Sequence, residues 1–269
     1  MFDLDRLDSR LRSAIACPVC RGKLGTSRAG LDCRTCGHEY TTGQGYPDFA
    51  PEISMKPGLG PFYLQDPLHV PQYEEVTRAA FLKIMGDNWD GALAPGDEDD
   101  YLRRHLDVAD VPLLDLACGA GRWTRTLAEH VGSGHVVGLD LSTAMLAAIQ
   151  RALPELPVVR ASALQLPFAD GSLGAVNCSN ALQLLPEPRT VLQEVGRCLR
   201  PGGRFSAFTF LRARRPAYRY FQKRHEQTFN VRAFEVGELV AWLDSAGLET
   251  LDVTTVEGMV LLTAGRRRV

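Results

Sequence analysis

A chain of 269 residues with 45% hydrophobic side chains can build one large domain, or one domain plus a small module, around a sizeable core. Its formal net charge of −2 argues against a general nucleic-acid-binding protein, and it contains no run of about 18 apolar residues that would span a membrane. Residues 1–12 are charged throughout and lack an apolar stretch, so no secretory leader is expected and a cytoplasmic location is.

Phe2, Leu4, Leu7, Leu11 and Ile15 recur at helical spacing and predict a short amphipathic lead-in. Next come Cys17-Pro-Val-Cys20 and Cys33-Arg-Thr-Cys36, separated by residues 21–32. Each pair sets two thiolates at one corner of a tetrahedral site, and the spacer is long enough for a hairpin that joins the corners. This is the ribbon-type spacing for one structural Zn2+ held by Cys17, Cys20, Cys33 and Cys36. A disulfide framework is the competing reading, but thiols in metal spacing without a leader fit a reducing compartment. His38 is close enough to replace a ligand, but four cysteines already suffice. The module is expected to span residues 1–51, ending in the extended Tyr46-Pro47-Asp48-Phe49.

Residues 52–100 read as a linker and lid. Pro57, Gly58, Gly60, Pro61, Pro67 and Pro71 mark a linker or lid base over 52–71, and residues 72–90 look helical, with Tyr73, Phe81, Met85 and Trp89. The acidic run Asp97-Glu-Asp-Asp100 is placed at the N-terminus of a helix beginning near Tyr101, where the macrodipole favours carboxylates. From residue 101 a third region alternates strands and helices. The strand candidates are 113–117, 136–140, 158–159, 173–177, 205–210, 248–254 and 259–264, with helices near 188–199 and 235–246. The pattern predicts an α/β fold: a seven-stranded, mostly parallel, doubly wound sheet ending in an antiparallel hairpin at Glu257-Gly258.

The chemistry concentrates after the first two of these strands. Leu113-Leu-Asp-Leu-Ala-Cys-Gly-Ala-Gly121 is a strand that ends on glycines, which let the backbone turn and a ligand approach. Asp140 ends the next strand, where a carboxylate can take both hydroxyls of a ribose. A dinucleotide site shares this layout. The third glycine of that fingerprint would fall at Thr124, after bulky Trp123, and Asp115 makes the corner acidic, which disfavours a diphosphate and suits a cation.

Four segments then resemble class I S-adenosylmethionine-dependent methyltransferases of the ubiquinone/menaquinone type. They are Asp115-Leu-Ala-Cys-Gly-Ala-Gly121, Gly138-Leu-Asp-Leu-Ser142 with Met145-Leu146, Leu166-Pro-Phe-Ala-Asp-Gly-Ser172, and Leu199-Arg-Pro-Gly-Gly203. The similarity covers roughly 100–265 and implies a Rossmann-like methyltransferase fold with S-adenosyl-L-methionine as cofactor. It further implies that Asp115, Ala117, Cys118, Gly119 and Gly121 face the methionine portion, Asp140 the ribose, and Leu141, Met145, Ser162, Ala163 and Leu164 the adenosine. Ser179 and Asn180 would face the sulfonium and the acceptor. The family often has an acid where Ser162 stands and an aspartate where Gly174 stands. Ribbons preceding such a domain occur in enzymes resembling ribosomal RNA guanine-N1 methyltransferases, and in many other methyltransferases of bacteria and plastids. Tyr46-Pro-Asp-Phe49 and Ala207-Phe-Thr-Phe210 make this chain more similar to the second group.

Cys118 is read as a small residue in a tight turn, Cys178 as a buried thiol at a strand end, and Cys198 as core. Catalytic residues are not fixed by the sequence; His105 and His225 are the histidines to test as bases. Residues 204–232 hold eight basic side chains against one acid, Glu226, with Tyr218, Tyr220 and Phe221 interleaved. The favoured reading is an amphipathic insertion at about 211–232 beside the active site, with an RNA surface as its rival. Tyr73, Trp89, Tyr218 and Phe221 are the candidate substrate contacts. The expected acceptor is a small molecule, such as a specialised metabolite. RNA is the runner-up, and a non-methylating enzyme that retains the cofactor, such as a cyclase, is the third reading.

Overall fold

The computed structural model describes residues 4–53, 59–108 and 111–268. Phe2, Pro57 and Gly58 lie outside the described residues. The lead-in is two short pieces, a 3-10 turn over Leu4–Arg6 and helix α1 (Ser9–Ala14), not one helix. Asp8 causes the break: its carboxylate accepts from the backbone N–H groups of Arg10 and Leu11 and so starts a new helix. Strands β1 (Leu24–Ser27), β2 (Gly30–Cys33) and β3 (Glu39–Thr41) form an antiparallel sheet of their own.

The segment expected to be linker contains a helix, α2 (Leu59–Gln65), and a 3-10 turn at Val70–Gln72. A π-helical turn over Tyr73–Arg78 runs into α3 (Ala79–Gly86), which ends on left-handed Asp87. The next helix, α4 (Pro95–His105), starts earlier than Tyr101, so the acidic run lies inside its first turns. Pro95 needs no N–H partner at that position, and the Asp97 carboxylate takes the Ala94 N–H at 2.8 Å.

The rest alternates as expected: β4 (Leu113–Leu116), α5 (Arg122–Val131), β5 (Val136–Asp140), α6 (Thr143–Ala152), β6 (Val158–Arg160), β7 (Leu173–Ser179), α7 (Pro188–Cys198) and β8 (Leu199–Phe210). Then follow α8 (Pro216–Phe229), α9 (Val236–Ser245), β9 (Leu248–Val256) and β10 (Met259–Arg266). These strands form a seven-stranded sheet of order β6-β5-β4-β7-β8-β10-β9. The first five are mutually parallel, and β10 pairs antiparallel with both neighbours. β4 and β7 are buried along their whole length, as strands covered on both faces must be.

The order reverses between β4 and β7, which opens a crevice at the carboxyl ends of the strands. The cysteine module is continuous with this body. Leu11, Ile15, Leu31, Tyr40 and Phe49 share one core with Leu166, Phe168 and Val159 of the sheet region. Ile15 bridges to Phe168, and Asp48 extends the β6 edge by a parallel bridge to Arg160.

Candidate active site and cysteine cluster

The crevice is built from main-chain turns that only particular residues allow. Ala117, Gly119 and Gly121 all have positive φ, at 58°, 55° and 93°. A Cβ on Gly121 would sit 2.7 Å from Ile149 Cγ1, so α5 can begin there only with glycine. The site of a Cβ on Gly119 is open, with only the Met145 sulfur 4.0 Å away. A ligand can therefore lie against the loop at that point.

The Gly119 N–H donates to Asp140 Oδ2 at 2.9 Å and the Ser142 N–H to Oδ1 at 2.8 Å. Each oxygen keeps a second acceptor site, enough for two vicinal hydroxyls. Burial pushes the Asp140 pKa up, and these N–H groups oppose it. Asp115 is buried too, within the end of β4. Its oxygens accept from Thr124 Oγ1 and, at 2.7 Å, Asn177 Nδ2, and Ser179 Oγ donates to Asn177 Oδ1 at 2.8 Å. Burial raises its pKa to about 6, and the Asp140 charge adds to the rise. Thr124, which fills the place of the third dinucleotide glycine, thus serves as a hydrogen-bond partner of the acid.

Loop residues 117–121, Asp140, Leu141 and Met145 are brought together, and Ser162–Leu164 follow at the end of the adjacent strand. The Ser162 hydroxyl accepts from the Leu164 N–H at 3.2 Å. Asn180 ends β7 in a left-handed conformation (φ 52°), and its two oxygens accept from Gln183 Nε2, both at 2.9 Å. The Cys118 thiol is buried under Gly138 with its pKa pushed well up by burial, a packing role. Cys178 and Cys198 are also buried, their pKa values raised to about 12 by burial.

A cap covers this end of the sheet. Ser142 Oγ donates to the Leu64 carbonyl at 2.6 Å, which holds α2 over the Asp140 corner. Tyr73 lies half-buried where it feels the charges of Glu74 and Asp140. Tyr218 ties α8 to the end of α3, accepting from the Asp87 N–H at 2.7 Å and donating to carbonyls of α3. Trp89 and Phe221 are 58% and 63% exposed. His105 stacks on Tyr101 near the C-terminal end of α4. α4 runs beside α5 with Asp99 bonded to Arg122 at its start and Asp107 near His130 at its end, so His105 sits at the opposite end of the sheet from the crevice. His225 lies in the cap between Phe81 and Phe229, with its pKa lowered by burial and its Nε2 without a hydrogen-bond partner among the described residues.

Two groups escaped the sequence reading. Tyr63, Phe81 and Phe229 make edge or tilted ring contacts across three cap segments. Arg78, 4% exposed, clamps buried Glu98, which also accepts from Trp123 Nε1 at 3.1 Å. The guanidinium groups of Arg78 and Arg122 both lie about 5 Å from the Trp123 ring centre. Arg78 Nε makes no hydrogen bond among the described residues. No local signal marks Arg78 and Glu98 as a pair, because they come from different helices.

Four of the eight basic side chains in the segment have acidic partners. Arg212 pairs with Glu235, Arg215 with Asp87, Arg219 with Glu226 and Arg232 with Glu238. Most of these acids come from outside residues 204–232, which is why the segment looked bare in sequence.

In the N-terminal module the sulfur atoms of Cys17, Cys20, Cys33 and Cys36 lie within 4.8 Å of one another, with 3.7 Å between Cys17 and Cys36 and 3.4 Å between Cys20 and Cys33. Zn–S bonds of about 2.3 Å at tetrahedral angles put sulfurs roughly 3.8 Å apart, so the donor set fits zinc.

A methyltransferase domain model matches residues 113–203. An uncharacterized chloroplastic methyltransferase of Arabidopsis thaliana is 30% identical over 245 residues, 80% of this chain and 68% of its own. A second from the same plant is 29% identical over 227 residues, 74% of this chain and 62% of its own. The demethylmenaquinone methyltransferase of Lactococcus lactis is 34% identical over 170 residues, 58% of this chain and 66% of its own. The chain therefore spans about two thirds or less of the length of two of these relatives. Among solved structures, the complex of the Haloferax volcanii Trm112 methyltransferase activator with a methyltransferase contains a chain of the same fold, at TM-score 0.59 and 18% identity, over 74% of this chain and 98% of that one. The [4+2]-cyclase SpnF matches at TM-score 0.56 and 18% identity, over 65% and 82%. The reversed strand order, the glycine corner beside Asp140 and these relatives converge: the chain belongs to the class I S-adenosylmethionine-dependent methyltransferases.

Proposed function

We propose that the protein methylates an apolar small molecule admitted under the cap. The observation that carries this reading is the aromatic group Tyr63, Phe81 and Phe229, whose rings meet across three segments of the cap. The name of the Lactococcus relative, whose acceptor is demethylmenaquinone, supports the same class. When bound, S-adenosylmethionine supplies a sulfonium methyl group, the electrophile for an oxygen, nitrogen or carbon of the acceptor.

The residues present fit that cofactor. Asp140 would hold the ribose, the open face at Gly119 the methionine chain, and Leu141 with Ser162–Leu164 the adenine. Arg78, whose buried Nε makes no hydrogen bond among the described residues and has Glu74 Oε2 at 3.8 Å, is suited to the methionine carboxylate. Asp115 contributes negative potential from beneath through Thr124 and Asn177. The cap aligns the acceptor and excludes water, which supplies most of what such a transfer requires. Where the acceptor must lose a proton, we assign the role to His225: burial favours its neutral form, and its Nε2 makes no hydrogen bond among the described residues. His105 is too far away to serve. We assign the four thiolates one structural zinc and place the protein in a reducing compartment such as the cytoplasm.

The test pairs purified protein and labelled cofactor with a panel of quinols, phenols and isoprenoids. One S-adenosylhomocysteine released per methylated product supports the proposal. Product without that release would point to a cyclase-type reaction, and tight, salt-dependent RNA binding that falls on neutralising Arg214 and Arg215 would favour the RNA reading.

A further inference from the structure

We propose that Arg160 is a positioning residue of the cofactor crevice, through which the cysteine module fixes the Asp140–Leu141 corner. Arg160 ends β6 and is 9% exposed. Its Nη1 donates to both Asp48 oxygens at 2.9 Å and to the Ala50 carbonyl at 2.7 Å; its Nη2 donates to the Ile53 carbonyl at 2.7 Å. All of these acceptors lie on the segment that leaves the module. The third nitrogen, Nε, donates to the Leu141 carbonyl at 3.0 Å.

That carbonyl belongs to the peptide unit whose N–H is Ser142's. A peptide is planar, so fixing its oxygen fixes the direction of its N–H. The Ser142 N–H is one of the two donors that orient the Asp140 carboxylate, at 2.8 Å from Oδ1. The chain of control is therefore short. Asp48 and two carbonyls hold the guanidinium, Nε holds the Leu141–Ser142 peptide, and that peptide aims Asp140. Main-chain bonds brace the same strand end, from the Arg160 N–H to the Pro47 carbonyl at 3.0 Å and from the Phe49 N–H to the Arg160 carbonyl at 2.8 Å.

The opposite wall of the adenine pocket is braced by the same module. The Ala16 N–H donates to the Pro167 carbonyl and the Ala169 N–H to the Ala14 carbonyl, each at 2.9 Å, and Gln165 Nε2 donates to the Pro18 carbonyl at 2.8 Å. These bonds flank the loop that begins at Ser162. The module thus grips both walls of the crevice without lining it.

The inference rests on Asp140 holding the ribose. Calorimetric titration of the full-length protein with S-adenosylhomocysteine tests it. Arg160→Met should raise Kd about tenfold, as for losing a charge-assisted hydrogen bond. Asp48→Asn should raise it severalfold, and the double variant should be no worse than Arg160→Met alone, because both act through one peptide. Arg160→Lys should recover part of the loss. In turnover the KM for the cofactor should rise while kcat is kept. Tyr101→Phe, which loses a hydrogen bond to Asp252 at the far sheet edge, is the control for general destabilisation and should leave Kd within about twofold.

A folded Arg160→Met or Asp48→Asn protein with wild-type Kd would overturn the proposal, as would Tyr101→Phe weakening binding equally. Should Arg160→Met fail to fold, Arg160→Lys and Asp48→Asn carry the same readouts. Asp140→Ala separates the two ideas: if it binds as tightly as wild type, the ribose assignment fails, whatever Arg160 does.

Discussion

The cysteine module and the cap both lie outside the parallel sheet, but they are joined to it by different means. The module is joined by main-chain hydrogen bonds at Ala14, Ala16, Pro47 and Phe49, and by a core shared with Leu166 and Phe168. The cap is joined to it by Ser142 to α2 and by a main-chain bond from the Gly258 N–H to the Gly86 carbonyl at 2.8 Å, and is held together by side chains: Tyr218 and Gln222 to α3, and ring edges among Tyr63, Phe81 and Phe229. A main-chain ladder with a shared core opens only when much of the structure opens. Side-chain ties worth about 1 kcal/mol each can be released locally. We infer that the module is a fixed wall of the crevice and that the cap is the part that would open to admit an acceptor.

The largest effect should come from breaking the fixed side. If the four thiolates hold the proposed zinc, stripping it, or Cys33→Ser, should remove a contribution on the order of 10 kcal/mol to folding of the module. Elemental analysis should fall from about one zinc per chain, and the melting temperature should drop with it. Unchanged melting of verified metal-free protein would mean that the module is held by packing alone.

Next comes the base of the cap. Glu98→Ala leaves the buried Arg78 guanidinium with only Glu74, 3.8 Å away, and should cost about 3 kcal/mol in urea unfolding. A loss below about 1 kcal/mol would mean that Arg78 escapes to solvent, as a surface pair would.

A smaller effect is expected from pH. Asp115 has its pKa raised from 3.8 to about 6, so its contribution to stability is present below 3.8 and is lost as pH rises through about 6. The cationic cofactor prefers the ionised form, so its affinity should run the other way. It should fall as pH drops below about 6, by up to about tenfold per unit. Calorimetry between pH 5 and 7.5 reads this, and a flat profile would remove Asp115 from the electrostatics of the site.

The smallest change should be Tyr218→Phe, about 1 kcal/mol of stability. The KM for the acceptor should rise while cofactor affinity is unchanged, which would separate cap from crevice.

What the sequence revealed follows the same division. The crevice is made of local motifs, Asp115–Gly121 and Gly138–Ser142, in which a few adjacent residues determine both the turn and the chemistry. The strand alternation that places them was legible because both sheet faces are buried. The cap was poorly legible. α2 forms in a segment rich in proline and glycine because it packs against α6 and α8, which no window around residues 59–65 contains. Tyr218 is singled out in the sequence by its aromatic neighbours, and its hydrogen bonds to α3, which tie two cap helices, come from across the chain. Arg160 gave no signal: its partners Asp48, Ala50, Ile53 and Leu141 are distant in the chain or on the backbone.

The central claim is that the Asp140 corner, set by the glycine loop, receives the nucleoside of the cofactor. Titrating wild-type and Asp140→Ala protein with S-adenosylhomocysteine in a calorimeter tests it directly. The account predicts saturable binding that weakens by about 1.5–3 kcal/mol in the variant. Equal affinities, or no heat from S-adenosylhomocysteine where a nicotinamide dinucleotide gives heat, would contradict it.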